Sequence, residues 1–294
     1  MTTIDLGPSS PAQPDEPWAG VPRRVGLTLA ELRHACRLVD APLPFDVVES
    51  GPASGLEDRL GQSRASAQDA AFAEAAATLG DPASSLARRG LVVDEELDAG
   101  ISGALGLLAT PEVAVDLDVA VDDLRGHAWH RQKGDAVATL ATTDGLLFEL
   151  AWFPTAGWAA ELGRAAGLPE DCGLRPSQVP DHLEVPFALA DSVLEALRSG
   201  RDDLVPVLAS GDATLISVLT ALATEAHGRL RAIVAPVTAE GSAPIGIVSW
   251  TLVDDGWRAM RPTVRDDEAT LVLTRVEPSD LAAELAPVLA EVAR

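Results

Sequence analysis

The feature that most restricts the fold is a change of hydrophobic period that occurs twice along the chain. Leu97, Ile101, Leu105 and Leu108 recur with helical spacing, which predicts a helix over residues 94–109, stopped by Thr110-Pro111. From Val113 the period drops to two. Val113, Val115, Leu117, Val119 and Val121 alternate with Ala114, Asp116, Asp118 and Ala120, so one face of a strand is apolar and the other carries two carboxylates. Segments 125–132, 135–143 and 145–152 read as further strands, separated by Gly134-Asp135 and Asp144-Gly145, which suit tight hairpin turns. This is an antiparallel four-stranded meander, and Pro154-Thr155 leads into a closing helix with Trp158, Leu162 and Ala165.

The same order returns downstream. A helix at 212–226 carries the stripe Leu215, Leu219 and Leu222, and strands are expected at 230–238, 244–252, 256–261 and 269–276, with Asp254-Asp255-Gly256 as the clearest turn. A helix from Ser279 with Leu281, Leu285, Val288 and Val292 closes this half, and Pro287 is expected to bend it. Short stretches align between the halves, 104–110 with 218–224 and 158–162 with 281–285, but the repeated order of elements is the stronger signal. The expected fold is α+β, with two pseudo-twofold-related halves, residues 25–168 and 169–294, each a helix, a four-stranded antiparallel meander and a closing helix.

Additional helices are expected outside the repeat. Thr28 and Glu31 form a capping box before Leu29, Leu32, Cys36 and Val39, an Ala-rich helix is expected at 63–79, and two short central helices at 190–199 and 202–210. The link at 167–185 holds Pro169, Pro176 and Pro180. Residues 1–24 carry five prolines among Ser, Gln and acids and are expected to form a disordered tail.

Charge and residue usage narrow the function. With 45 acidic against 22 basic side chains the net charge is −23, which opposes general nucleic-acid binding. No window reaches the length of a membrane span and the start has no basic-then-apolar leader, so a cytoplasmic protein is expected. Lys133 is the only lysine, Asn and Tyr are absent, and Ala, Gly, Arg and Asp abound, as in a high-GC, actinobacterial genome. Cys36 and Cys172, far apart in sequence, make no disulfide framework or CxxC motif.

Catalytic and metal-binding constellations are not found in the sequence. His127 and His130, three apart on a strand, point to opposite faces and do not share a metal. Gly100, Gly103 and Gly106 lie within a helical stripe with no preceding strand, which favours close helix packing over a phosphate loop. No GxSxG elbow occurs, and the pairs Asp122-Asp123, Asp202-Asp203 and Asp266-Asp267 fall at turns or helix starts. Neither catalysis nor a cofactor is expected. Trp129 and Trp250, on corresponding strands of the two halves, fit core packing or an aromatic anchor in a protein interface.

Taken together, several segments resemble the EspG family, the cytosolic chaperones of actinobacterial type VII (ESX) secretion. They are Leu27-Thr28-Leu29-Ala30-Glu31-Leu32 opening a helix, Leu43-Pro44-Phe45 after it, Ala87-Arg88-Arg89-Gly90-Leu91-Val92 leading into Asp94-Glu95-Glu96-Leu97, and the strand from Pro111 to Val121 with its meander. The resemblance spans residues 25–294. It implies a non-enzymatic protein that binds the tip of a PPE protein in a PE–PPE heterodimer, or a related type VII substrate, and keeps it soluble before export. In the family the client tip meets the central sheet and the C-terminal helices, close to the turn between the second and third meander strands. That turn corresponds here to Arg131, Gln132, Lys133, Gly134 and Asp135, beside Trp129, which are therefore the expected partner-binding residues. The alternative function is a small-molecule-binding or sensor domain, which would show an enclosed apolar pocket with a few convergent polar groups.

Overall fold

The computed structural model describes residues 22–45, 74–75, 79–169, 172–238, 241–242, 244–265 and 267–292. The helix expected at 63–79 therefore lies almost wholly outside the described residues, as does the tail up to residue 21. Arg23 and Arg24, expected within that tail, instead open the first strand, β1 (Arg23–Thr28), hydrogen-bonded along its length to a strand more than a hundred residues away. The expected capping box is present. Glu31 N–H donates to Thr28 Oγ1 at 3.2 Å and Thr28 N–H to Glu31 Oε2 at 2.9 Å, starting α1 (Leu29–Leu38).

The helix expected at 94–109 begins later. After α2 (Pro82–Arg88), Val92–Val93 (β2) and Glu96–Leu97 (β3) form a small hairpin whose turn residues Asp94 and Glu95 take φ of 50° and 68°. Left-handed backbone at two successive residues cannot continue a helix, so α3 (Ala99–Ala109) starts only after Asp98, whose carboxylate caps Gly100 and Ile101. The meander follows as β4 (Val113–Val121), β5 (Leu124–Lys133), β6 (Ala136–Thr142) and β7 (Leu147–Pro154), closed by α4 (Trp158–Ala165).

The second half repeats the order. β8 (His182–Pro186), α5 (Phe187–Arg198), α6 (Val205–Leu208) and α7 (Ala213–Glu225) precede β9 (Gly228–Thr238), β10 (Gly241–Ser242), β11 (Gly246–Val253), β12 (Gly256–Arg265), β13 (Glu268–Val276) and α8 (Leu281–Val292). All strands but β2 and β3 join one antiparallel sheet, in the order β1-β7-β6-β5-β4-β9-β11-β12-β13-β8, with β10 beside β9. The first meander strands of the two halves, β4 and β9, pair in the middle from Val113↔Pro236 to Val121↔Gly228. β8 lies in the stretch expected as a linker. Like β1 it is short, and these two strands end the sheet with Arg23 and Arg24 on one and His182, Glu184 and Pro186 on the other, residues that discourage further pairing.

Helices cover the two faces unequally. On one face α4 and α8 lie over the centre, where Leu162, Leu281 and Leu285 meet Val115, Leu117, Leu230, Trp250 and Trp257. Each such leucine, fully withdrawn from water, contributes roughly 1.5–3 kcal/mol. On the other face α1 and α3 cover β1, β6 and β7, while α5 and α7 cover β8, β11 and β13. A Cβ at Gly100 would lie 2.7 Å from the Trp152 ring, so the first glycine of the 100-103-106 series does serve close packing. Gly103 and Gly106 face open space and do not.

Candidate partner-binding face

Between its two helix layers, no helix of the described residues covers the central strands of the second face. The register builds rows of side chains across it. Trp129 on β5 lies beside Asp116 on β4, Asp116 beside Ile233 on β9, and Ile233 beside Ile247 on β11. One row toward the β5–β6 turn come Arg131, Ala114 and Ala235; one row the other way come His127, Asp118, Arg231 and Ser249. Ile247 is 52% exposed, unusual for a β-branched residue in mid-sheet, and Arg229 and Arg231 are exposed beside it. The centre is thus a small apolar strip edged by polar groups: Asp118 faces the Arg229 guanidinium at 3.7 Å and the His127 ring at 3.9 Å.

Arg131 is held down on this face. It is 7% exposed, and its guanidinium donates to Asp116 Oδ1 at 2.5 Å and to the His130 carbonyl at 3.0 Å. Trp129 is half-buried and stacks on Phe45 at 4.7 Å, which stacks on Phe148 at 5.4 Å, while the exposed His127 ring lies 6.1 Å from the indole on the same face. Trp250, on the corresponding strand, points through the opposite face, is 1% exposed and packs against Trp257 with ring centres 6.1 Å apart. The two tryptophans therefore share a strand position but not an environment.

The other expected residues form the β5–β6 turn at the end of the sheet. Lys133 pairs with Ala136 across a two-residue loop in which Gly134 takes φ of 55°. Gln132 donates to the Gly134 carbonyl, Gly134 N–H donates to Glu112 Oε2 at 3.2 Å, and the Asp135 carboxylate accepts from the Thr155 hydroxyl. These bonds fix the loop and leave Lys133 exposed, with no ion pair among the described residues. Beneath the turn a groove of about 390 Å³ is lined by Gln132, Val113, Trp158 and Pro236 together with Leu289 and Val292 of α8. The structure thus brings the turn and the C-terminal helix together, and sets Trp129 and Arg131 around the sheet edge on the open face. Ile233 and Ile247 were not anticipated; their signal is an apolar residue on the face of a strand that otherwise carries Arg229 and Arg231.

The chemistry available is that of recognition. Among the described residues no three His, Cys, Asp or Glu side chains are grouped to hold a metal ion. Cys36 is buried, which pushes its thiol up to about 11, far from a reactive thiolate at neutral pH. His127 and His130 do lie on opposite faces, as their register requires. Among the described residues no helix is long and apolar enough to cross a membrane.

No protein-family model matches the sequence, and no curated protein matches it. A solved structure does: the Mycobacterium tuberculosis type VII secretion system chaperone EspG5, in complex with a PE25–PPE41 dimer. The two folds superpose with a TM-score of 0.60 over 91% of this chain and 96% of that one, at 11% sequence identity. From its first edge strand to its closing helix, the chain has the EspG-like fold.

Proposed function

We propose that this protein is a non-enzymatic chaperone of type VII secretion that binds a PE–PPE heterodimer, or a related helical substrate, before export in the cytoplasm. The observation that carries the reading is the EspG-like fold along nearly the whole chain, combined with a central sheet face that no helix of the described residues covers. The client tip would lie on the strip of Ile233 and Ile247 beside Trp129 and extend past the 131–135 turn toward Leu289 and Val292 of α8. Arg131 and Asp135 would act by holding the strip and the turn in shape, and Lys133 by direct contact. A client that hides its own apolar tip here is kept from aggregating, while the charge of −23 opposes association between loaded chaperones.

Lys133 gives a direct test. As the only lysine, it and the chain's terminal amine are the only strong targets of an amine-reactive label, so labelling reads the turn almost alone. The full chain is mixed with a purified PE–PPE pair from the same genome and followed by size exclusion and by labelling. A 1:1 complex that protects Lys133, and that Lys133→Glu weakens about tenfold at unchanged melting temperature, is the expected result. Failure to form a complex with any pair encoded beside the gene would sink the proposal, and a complex that leaves Lys133 fully reactive would remove the turn from the interface.

A further inference from the structure

The strip of Ile233 and Ile247 is flanked by a cation left without a counter-ion. Arg231 stands on β9, in register with Asp118 on one side and Ser249 on the other. Asp118 does not pair with it: that carboxylate lies instead toward the Arg229 guanidinium at 3.7 Å and the His127 ring at 3.9 Å. The other carboxylate of β4 on this face, Asp116, is committed to Arg131. Arg231 is exposed and makes neither a hydrogen bond nor an ion pair among the described residues. With 45 acidic side chains for 22 basic ones, the chain does not lack carboxylates to place beside it.

The apolar surface next to this charge is larger than the two isoleucines. Ser249 pairs with Met260 on β12, and further along the same face of that strand come Pro262 and Val264, both exposed, Val264 by 75%. From Arg231 to Ile233 the step along β9 is two residues, about 7 Å at the rise of a strand, and Ile247 is the direct neighbour of Ile233. Residues four apart on an α-helix are separated by about 6 Å along its axis. A free cation and an apolar strip at this separation match one helical turn that carries an acid and an apolar side chain.

We propose that the helical client carries, one turn from the apolar side chain seated on Ile233 and Ile247, an aspartate or glutamate whose carboxylate takes the Arg231 guanidinium. This rests on the chaperone reading and sharpens it, since the face then selects an acid beside an apolar tip and not an apolar tip alone. The planar guanidinium suits a carboxylate in two-point contact, and apolar neighbours that exclude water strengthen the pair. A second copy of this chain is a poor occupant: a twofold contact through the face duplicates Arg231 without supplying a free carboxylate, because Asp116 and Asp118 already face other cations.

The test measures the affinity of the full chain for a purified PE–PPE pair encoded beside the gene. Arg231→Glu is expected to weaken the complex about thirtyfold, and Arg231→Gln, which sets no like charge opposite Asp118, about tenfold. Both replace an exposed side chain and are expected to keep the wild-type melting temperature. Arg198→Glu makes the same change in net charge at the exposed end of α5 and is expected to leave the affinity within about twofold. On the client, each Asp or Glu within four residues of the apolar side chains of its tip is reversed to Arg; one reversal is expected to weaken binding to the wild-type chain and to improve binding to Arg231→Glu about tenfold. If the wild-type chain forms no complex, the chaperone reading fails and this proposal with it. If the complex forms but Arg231→Glu binds as Arg198→Glu does, or no client reversal improves binding to Arg231→Glu, the chaperone reading stands and the pairing with Arg231 is overturned.

Discussion

His130 is held neutral by its surroundings: burial disfavours the imidazolium, and the nearby Arg131 and Arg164 add to this, pushing its pKa from 6.5 down to about 3. In the unfolded chain the ring titrates near its ordinary value. Between about pH 6.5 and pH 3, therefore, the unfolded state binds a proton that the folded state refuses, and stability falls as pH drops, by up to about 1.4 kcal/mol per pH unit. Above pH 6.5 the contribution is complete and flat. His130→Gln lacks this titration, so wild type should lose about 2 kcal/mol more than the variant between pH 7 and pH 5 in urea melts. Parallel curves for the two proteins would show that the ring can take up a proton in place. At this scale the sequence was legible where alternation governs: Asp116 and Asp118 on the open face and the divergence of His127 from His130 follow from period two. The Phe45 stack on Trp129 and the Asp116 clamp on Arg131 were not, because each joins residues whose proximity only the folded register decides.

Elements were readable to the degree that their signals are local. All eight meander strands lie where alternation and turn residues put them, and Thr28 and Asp212 cap the helices that follow them. The edge strands β1 and β8 escaped because RRVGLT and HLEVP are short, with only two alternating apolar residues each, beside proline-rich segments, and only their distant partners β7 and β13 make them strands. Helix docking also has a local mark at Gly246, where any Cβ would fall inside van der Waals distance of the Val288 methyls on α8. Gly246→Ala should destabilise the protein by about 1–3 kcal/mol, and Val288→Ala, costly alone, should restore most of the loss in the double variant. Additive losses in thermal melts would mean that α8 shifts freely over β11. Because Leu289 and Val292 sit on the same helix and line the groove under the turn, the same displacement should weaken client binding by the proposed chaperone.

Across the whole molecule, the strands that are paired on both sides and covered by helix or by neighbours differ from the short ones at the ends. β4 and β9 each have a hydrogen-bonded neighbour on either side, whereas β1 and β8 each have one. Amide exchange should therefore be slowest in β4 and β9 and fastest in β1 and β8, and uniform protection across the sheet would contradict the layered account of its stability. The central pairing carries a further consequence. It is made by the same meander strand of each half, running antiparallel, and the strand order outward from it repeats on both sides. Two separate copies of a half-length chain meeting through that one strand would build this very arrangement. The single polypeptide thus carries the strand order of a symmetric pair, while its two halves are filled differently: Trp250 and Trp257 pack together beside one hairpin turn, where the other hairpin has the buried His130 and Val137 at the same distance from its turn.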